Sequence, residues 1–174
     1  MDIKNINGSE IEIKIAKNES IYDFNLCASD FIEFIDNFEE LFLNKKLFIL
    51  TAYYQKTLVG IVVAEDKTKK VDSIEKIVPI MILHLIYVNP NYRNRKIGQN
   101  LLVHFITIQK KNGIAAIHSI LPQKHVIGIN FLEKNDFYQK ERKGNKILLE
   151  LKLWNDYGIG DCHIIGDNIN DLLS

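Results

Sequence analysis

The sequence predicts an α+β (mixed α/β) fold, with helices flanking one sheet. Strand-like and helix-like segments follow the order β-α-β-β-β-α-β-α-β-β, so the helices are dispersed among the strands. Hydrophobic residues make up 47% of the 174 positions, enough for one sizeable core. Both observations favour a single domain, which we place at residues 1–154.

The first half of the chain predicts one strand, one helix, a hairpin and a long buried strand. Alternating polar and apolar side chains indicate the first strand, and apolar residues at helical spacing indicate the helix. The polar pair Gln55-Lys56 separates the two hairpin strands. A charged stretch at 65–76 is expected to be an exposed loop or a short excursion. The predicted ranges are 10–17 for the first strand, 26–44 for the helix, 47–54 and 57–64 for the hairpin, and 77–88 for the long strand.

The second half begins with an amphipathic helix at 97–111, which Asn112-Gly113 should end. A buried strand, a second helix and an antiparallel pair follow it. Residues 155–174 are rich in Gly, Asp and Asn, and we expect a weakly ordered or docked tail. The remaining predicted ranges are 114–121, 125–134, 137–142 and 146–154.

Charge and cysteine content narrow the function classes. Lys plus Arg and Asp plus Glu both number 22, so no global field favours nucleic acid or an anionic membrane. Cys27 and Cys162 are far apart and have no clustered histidines, so we expect ordinary thiols and no metal site. The first residues lack the apolar stretch of a signal peptide, and no run approaches the length of a membrane span. We therefore expect a cytoplasmic location.

The most informative segment joins the long strand to the amphipathic helix. The strand ends at Val88, and a short loop with three basic residues leads to a helix start near Ile97. The first turn of a helix has unpaired N–H groups and the positive end of the helix dipole, an arrangement that binds phosphate. Gly98 would let a ligand approach the backbone closely. The three basic residues are Arg93, Arg95 and Lys96.

This segment resembles the acetyl-CoA signature of GNAT acetyltransferases, in which a strand ending V-x-P leads to (Q/R)-x-x-G-x-(G/A). Arg93 matches the first position and Gly98 the last, whereas Lys96 stands where the pattern prefers glycine. Residues 128–137 are similar to a second motif, A-x-x-(F/L)-Y-x-K-x-G-F. Its matching residues are Phe131, Glu133, Lys134 and Phe137. The resemblance spans roughly residues 47 to 153 and implies a GNAT-like, mostly antiparallel sheet of six to seven strands.

The resemblance also implies a binding site for acetyl-CoA as co-substrate. The pyrophosphate would lie on backbone amides of the loop, and the pantetheine arm would pair with the end of the preceding strand like an extra strand. The residues implied in cofactor binding are Ile86, Val88, Arg93, Arg95, Lys96, Ile97, Gly98, Gln99 and Phe131.

Acetyl transfer to an amine needs a proton acceptor and a donor for the oxyanion. Strand alternation predicts that Ile82, His84, Ile86 and Val88 share one face, which the resemblance places toward the acceptor. His84 is the titratable member of this set, and free histidine has a pKa of about 6.5, so we expect it to act as the base or water relay. The resemblance implies the Val88 N–H as oxyanion donor.

Several positions depart from the second motif. Leu132 replaces the tyrosine that many family members use as acid, so Tyr138 is a candidate substitute. Asp136 replaces the usual glycine, and His125 the usual asparagine. We expect His118 and His125 to have structural or capping roles.

The sequence thus predicts an N-acetyltransferase that transfers acetyl from acetyl-CoA to a primary amine of a small molecule or peptide. One alternative is a catalytically altered CoA-binding regulatory module, which Leu132 and Asp136 motivate. Another is an unrelated nucleotide-phosphate-binding protein, although no Walker motif or complete G-x-G-x-x-G supports it. We expect no nucleic-acid or membrane partner, and a homodimer stays open.

Overall fold

The computed structural model describes residues 10–17, 19, 20, 22–24, 38–44, 47–67, 69–71 and 76–154. The predicted tail, Cys27, Cys162 and most of the predicted helix at 26–44 lie outside these residues. The elements are β1 (Ile11–Ile15), α1 (Phe38–Leu43), β2 (Leu47–Tyr54), β3 (Thr57–Asp66), β4 (Lys69–Val71), β5 (Lys76–Val78), β6 (Ile80–Val88), α2 (Ile97–Lys111), β7 (Ala116–Pro122), α3 (Val126–Glu133), β8 (Tyr138–Lys143) and β9 (Lys146–Lys152).

Seven strands form one sheet in the order β1-β2-β3-β6-β7-β9-β8. All neighbouring pairs are antiparallel except β6 and β7, which are parallel. This confirms the predicted α+β class and the mostly antiparallel sheet. The β2–β3 turn also follows the prediction, since Gln55 and Lys56 both have positive φ, as a two-residue type I′ turn requires.

The sequence predicts an exposed loop or a short excursion at 65–76, and the described part of this segment contains strands instead of a plain loop. β3 continues to Asp66, and the chain then forms the separate antiparallel hairpin β4–β5. The predicted strand 77–88 is divided at Pro79, which has no N–H to donate to a ladder. Short strands with charged side chains lack the apolar alternation on which the prediction relied.

The sheet has two differently packed faces. The face toward α2 and α3 carries the larger core, to which Leu101, Phe105 and Leu132 contribute. The opposite face, here called the far face, carries a smaller core that includes Phe24, Ile61 and Val63. No helix among the described residues is long and apolar enough to cross a membrane.

The parallel strands β6 and β7 separate part-way along their length. Their ladder contains the pairs Ile80–Ala116, Met81–Ile117 and Ile82–His118, yet β6 continues to Val88 and β7 to Pro122. The strands therefore diverge beyond the pair Ile82–His118 and leave a cleft in the sheet. We call this last pair the vertex of the cleft. The Ser119 hydroxyl donates to the carbonyl of Leu83 over 3.0 Å, just beyond the last pair.

Candidate active site

The start of α2 offers backbone N–H groups at the open end of this cleft. Lys96 is the N-cap residue, and its side chain makes no capping hydrogen bond. The first intrahelical bond runs from the Asn100 N–H to the Lys96 carbonyl over 2.9 Å. The N–H groups of Ile97, Gly98 and Gln99 thus precede the helical ladder, and they can bind an anion at the positive end of the helix dipole.

Lys96 takes up the backbone conformation that glycine would prefer. Its φ is 60° and its ψ is 9°, in the left-handed region. A side chain in this region costs roughly 1–2 kcal/mol relative to the ordinary helical region. Lysine in place of glycine at position 96 therefore keeps the loop geometry but costs some folding stability. It also adds a positive charge beside the helix start.

Two arginine side chains of the loop rest on tyrosine rings. Arg93 Nε donates to the Val88 carbonyl over 2.9 Å, and its guanidinium carbon lies 5.7 Å from the Tyr87 ring centroid. The corresponding distance from Arg95 to the Tyr92 ring is 5.5 Å. These contacts hold both positive charges close to the end of β6 and the start of α2.

Gly98 faces the space between β6 and α3. A Cβ atom built on Gly98 would lie 3.5 Å from Val88 Cγ2 and 3.9 Å from Phe131 Cζ, which are ordinary contact distances. The structure thus brings together three of the predicted binding residues. The protein itself would accept a methyl group at position 98, so any strict need for glycine must come from a ligand.

The free edge of β6 presents main-chain groups toward the cleft. The Asn89 N–H donates to the Val59 carbonyl over 2.9 Å, and Val88 is paired with Gly60. In an antiparallel ladder, alternate residues bond to the partner strand and the residues between them point away from it. This alternation directs the amides of Ile86 and Val88 away from β3, to the side where β7 has diverged.

A β-bulge at His84 changes the orientation of β6. Val63 pairs with Leu85 and Ala64 with Leu83, so His84 has no partner on β3. Beyond the bulge, Ile86 and Val88 pack in the core beside α2, whereas Leu85 and Tyr87 pack on the far face. The predicted shared face of Ile82, His84, Ile86 and Val88 is therefore wrong, because strict alternation holds only in a regular ladder.

His84 lies on the far face with a carboxylate partner. Its Nε2 is 3.1 Å from Glu65 Oε2, and Lys67 Nζ is 2.5 Å from Glu65 Oε1. Burial raises the pKa of Glu65, but hydrogen bonds from Lys67 and His84 outweigh it and leave that pKa below its ordinary value. An ionised Glu65 favours the His84 tautomer that carries its proton on Nε2, which leaves Nδ1 as the proton acceptor.

A second histidine–carboxylate pair lies on the other side of the vertex. His118 Nε2 is 2.5 Å from Glu150 Oε2, and the Glu150 carboxylate also accepts hydrogen bonds from Tyr138 and Lys140. Burial raises the Glu150 pKa, but these bonds outweigh it and hold that pKa at about 2. The sequence does not predict this cluster, since its members come from three strands and no spacing rule connects them.

Across residues 45–141, the chain matches the family described as "Acetyltransferase (GNAT) domain". The chain belongs to the GNAT acetyltransferase family. A spermidine N(1)-acetyltransferase of Thermoplasma acidophilum is 26% identical over 109 residues, which cover 63% of this chain and 62% of that protein. The match thus spans less than two thirds of that relative's length.

Two solved structures share the GNAT fold. An N-acetyltransferase of Thermoplasma acidophilum in complex with coenzyme A gives a TM-score of 0.59 at 22% identity, covering 81% of this chain and 99% of that one. Naa50 of Arabidopsis thaliana, in complex with the bisubstrate analogue CoA-Ac-MVNAL, gives a TM-score of 0.63 at 15% identity. The match covers 82% of this chain and 99% of that one.

The departures from the second GNAT motif have structural counterparts. Leu132, in place of tyrosine, is 4% exposed and packs in the core, so it presents no proton donor to the cleft. Asp136 has φ of 68°, again the conformation of the glycine it replaces. His125 is the N-cap residue of α3 but makes no side-chain capping bond. Its Nδ1 would lie 2.4 Å from a Cβ at Gly128, so the ring packs over that glycine.

Tyr138 lies on β8, the outermost strand of the sheet, where its hydroxyl donates to Glu150. Two strands, β9 and β7, separate it from β6. Among the described residues, no group of three or more His, Cys, Asp or Glu side chains is placed to hold a metal ion.

Proposed function

We propose that this GNAT enzyme is an N-acetyltransferase that moves an acetyl group from acetyl-CoA to a primary amine of a small molecule or peptide. The observation that carries the proposal is the uncapped start of α2 beside the diverging edge of β6. Together they offer an anion site and an extended main-chain edge, the two features that a pyrophosphate and a pantetheine arm require.

The loop residues would hold the phosphates. In this assignment the amides of Arg95, Lys96, Gly98 and Gln99 would bind the pyrophosphate, and the side chain of Arg93 would add charge. Ile97 is 1% exposed and anchors the helix start in the core. Ile86, Val88 and Phe131 would contact the pantetheine arm. Bound there, acetyl-CoA supplies an acetyl group already activated as a thioester.

One main-chain group and one side-chain group would then take part in the acetyl transfer. The amide of Val88, directed away from β3, would donate to the developing oxyanion. His84, oriented by Glu65, would accept a proton at Nδ1 from the incoming ammonium group, directly or through a water relay. Tyr138 as the acid stays a prediction, because its hydroxyl donates to Glu150 in the structure.

For the acceptor we propose a chemical class, the primary amines, and not one compound. The relative named for spermidine acetylation supports testing polyamines first, and Naa50 with its peptide-bearing analogue supports testing peptides. An arylalkylamine, an aminoglycoside and a free amino acid complete the panel.

The test is the release of CoA thiol on mixing the protein, acetyl-CoA and each amine. Acetyl transfer to at least one primary amine is the expected result. Tight CoA binding without turnover on the whole panel would contradict the proposal and favour a catalytically altered CoA-binding regulatory module. Leu132, buried where the family has tyrosine, is the observation behind that alternative.

A further inference from the structure

We propose that residues 155–174 dock on the far face of β7, β9 and β8, which we call the outer face. The proposal does not depend on the acetyl transfer proposed above. It gives an occupant to a part of the sheet that carries exposed apolar side chains and unpaired lysines, and it is argued from the face, the charge of the segment and the place where the segment begins.

Strand alternation defines the side chains of the outer face. Ile147 and Leu149 pack in the larger core beside α2 and α3, so Lys146 and Leu148 point to the opposite side of the sheet. Residues directly opposite each other on neighbouring strands share a face, which places Ile120 of β7 beside Leu148. The outer face therefore continues from β7 across β9.

The outer face is apolar and lies open to solvent. Ile120 is 52% exposed, and Tyr138, which reaches Glu150 from the same side, is 42% exposed. Leu148 belongs to neither hydrophobic core. Among the described residues, no side chain of β7, β8 or β9 contributes to the smaller core of the far face. Neighbouring exposed apolar side chains of this kind mark interaction sites.

The hairpin end of the outer face is basic. Lys143 and Lys146 are exposed and lie directly opposite each other on β8 and β9. Like charges in this arrangement destabilise a sheet, and in the part of the chain that the structure describes neither lysine has an ion-pair partner. An occupant that fits this face should therefore carry negative charge together with apolar side chains.

The segment 155–174 has this composition. Four of the 22 acidic residues and none of the 22 basic residues lie in it, so the segment carries a charge of −4 and residues 1–154 carry +4. Its six isoleucine and leucine residues are interspersed with the acidic ones, so both kinds of side chain are present along its length. The acidic residues are Asp156, Asp161, Asp167 and Asp171.

The chain enters this segment at the border of the outer face. The Leu153 N–H donates to the Ala115 carbonyl over 2.8 Å, and Trp154 Nε1 donates to the Ile114 carbonyl over 2.8 Å, which fixes the end of β9 beside the start of β7. From Lys152 back to Lys146, β9 is about 20 Å long. The segment would span about 30 Å even if it were wholly helical, so it can reach the entire face.

Two other occupants fit less well. Residues 25–37 join Phe24 to α1, and both Phe24 and Phe42 of α1 pack in the smaller core with β2 and β3. That segment therefore begins and ends on the other half of the sheet. A second copy of the chain in a twofold interface would bring Lys143 and Lys146 against the same lysines of its partner, which repel each other.

The test uses the cysteine that the segment already contains. The chain has two cysteines, so Cys27→Ser leaves Cys162 as the position for a nitroxide spin label. Docking should broaden the NMR signals of Ile120 and Leu148, whereas Val103, exposed on α2, should keep its intensity. The broadening should fall at least about twofold in 1 M salt, because ions screen exposed charges.

Charge reversal identifies the lysines that hold the segment. Lys143→Glu combined with Lys146→Glu should reduce the broadening at Ile120 and Leu148 as salt does. The matched control is Lys17→Glu combined with Lys56→Glu, which makes the same change of charge at exposed positions near β1 and β2 and should leave the broadening as it is. Circular dichroism of each variant shows whether its fold is kept.

Three results would overturn the proposal. The first is an absence of broadening at Ile120 and Leu148, and the second is equal broadening of Val103. The third comes from a mixture of spin-labelled protein with isotope-labelled protein that has no nitroxide. Broadening of Ile120 in this mixture as strong as within one chain would show that the face binds a second copy.

Discussion

The Asn89 N–H donates to the Val59 carbonyl over 2.9 Å, and this bond determines which way the end of β6 faces. It places Asn89 among the residues that bond to β3 and leaves Val88 among those that do not. The amide of Val88 therefore points to the cleft, beside Gly98 at the start of α2. One hydrogen bond between strands thus connects the fold to the proposed oxyanion donor.

Replacing Gly98 with alanine should separate folding from binding. The added methyl group would make only ordinary contacts with Val88 and Phe131, and alanine favours helices over glycine by up to about 1 kcal/mol. We expect Tm to stay level or rise while acetyl-CoA affinity falls at least tenfold, as measured by thermal unfolding and calorimetry. Val103→Ala, on the exposed side of α2, should change neither quantity greatly. Unchanged acetyl-CoA affinity in Gly98→Ala would show that the phosphate site lies elsewhere.

Two substitutions of Lys96 should separate backbone strain from charge. Lys96→Gly removes the left-handed strain and the charge, whereas Lys96→Ala removes only the charge. Urea unfolding should show Lys96→Gly to be more stable than Lys96→Ala by roughly 1 kcal/mol. Both should weaken acetyl-CoA binding several-fold at low salt, and less at high salt because ions screen exposed charges. Equal stability of the two variants would contradict the strain argument.

The substitution His84→Ala should lower turnover without weakening acetyl-CoA binding. General-base catalysis typically contributes 100-fold or more, so we expect kcat to fall by at least about 100-fold at pH 7. Glu65→Gln should cause a smaller loss, since the ring stays but its orienting charge does not. The readout is the pH dependence of kcat, with His104→Ala as control. A wild-type profile in His84→Ala would exclude it as the base.

Folding stability should fall in acid because of Glu150. Its pKa is about 2 in the folded protein, below the ordinary 4.5, so the unfolded state binds more protons between these values. The stabilisation is complete above the ordinary pKa and is lost as pH falls toward 2. It is on the order of 3 kcal/mol at most.

Urea unfolding between pH 5.5 and 2.5 measures this loss. The decline should be shallower in Glu150→Gln, which has no carboxylate to titrate at that position. Glu141→Gln removes an exposed carboxylate from β8 and is the matched control. A wild-type slope in Glu150→Gln would show that other groups cause the acid sensitivity.

The sequence predicts the parts of the fold that local signals control. The bounds of α2 agree with the prediction at both ends, since apolar spacing and Asn112-Gly113 are strong local signals. The hairpin of β2 and β3 is equally local. The place of the loop of Arg93 to Gly98 between a strand and a helix is predicted for the same reason, because the loop is contiguous in sequence with both.

Long-range register accounts for most of what the sequence could not predict. The bulge at His84 depends on how β6 meets β3, and it reverses the faces of Ile86 and Val88 relative to simple alternation. The pairing of His118 with Glu150 depends on the β7–β9 register. Neither the bulge nor this pairing can be predicted from the spacing of nearby residues.

The most direct test of the account is a calorimetric titration of the wild-type protein with acetyl-CoA, with ATP as the control ligand. We expect micromolar binding of acetyl-CoA and no comparable binding of ATP, because the proposed site would pair the pantetheine arm with the β6 edge in addition to binding the phosphates. Absence of acetyl-CoA binding, or equal binding of ATP, would contradict the assignment of the α2 start and the β6 edge as a CoA site.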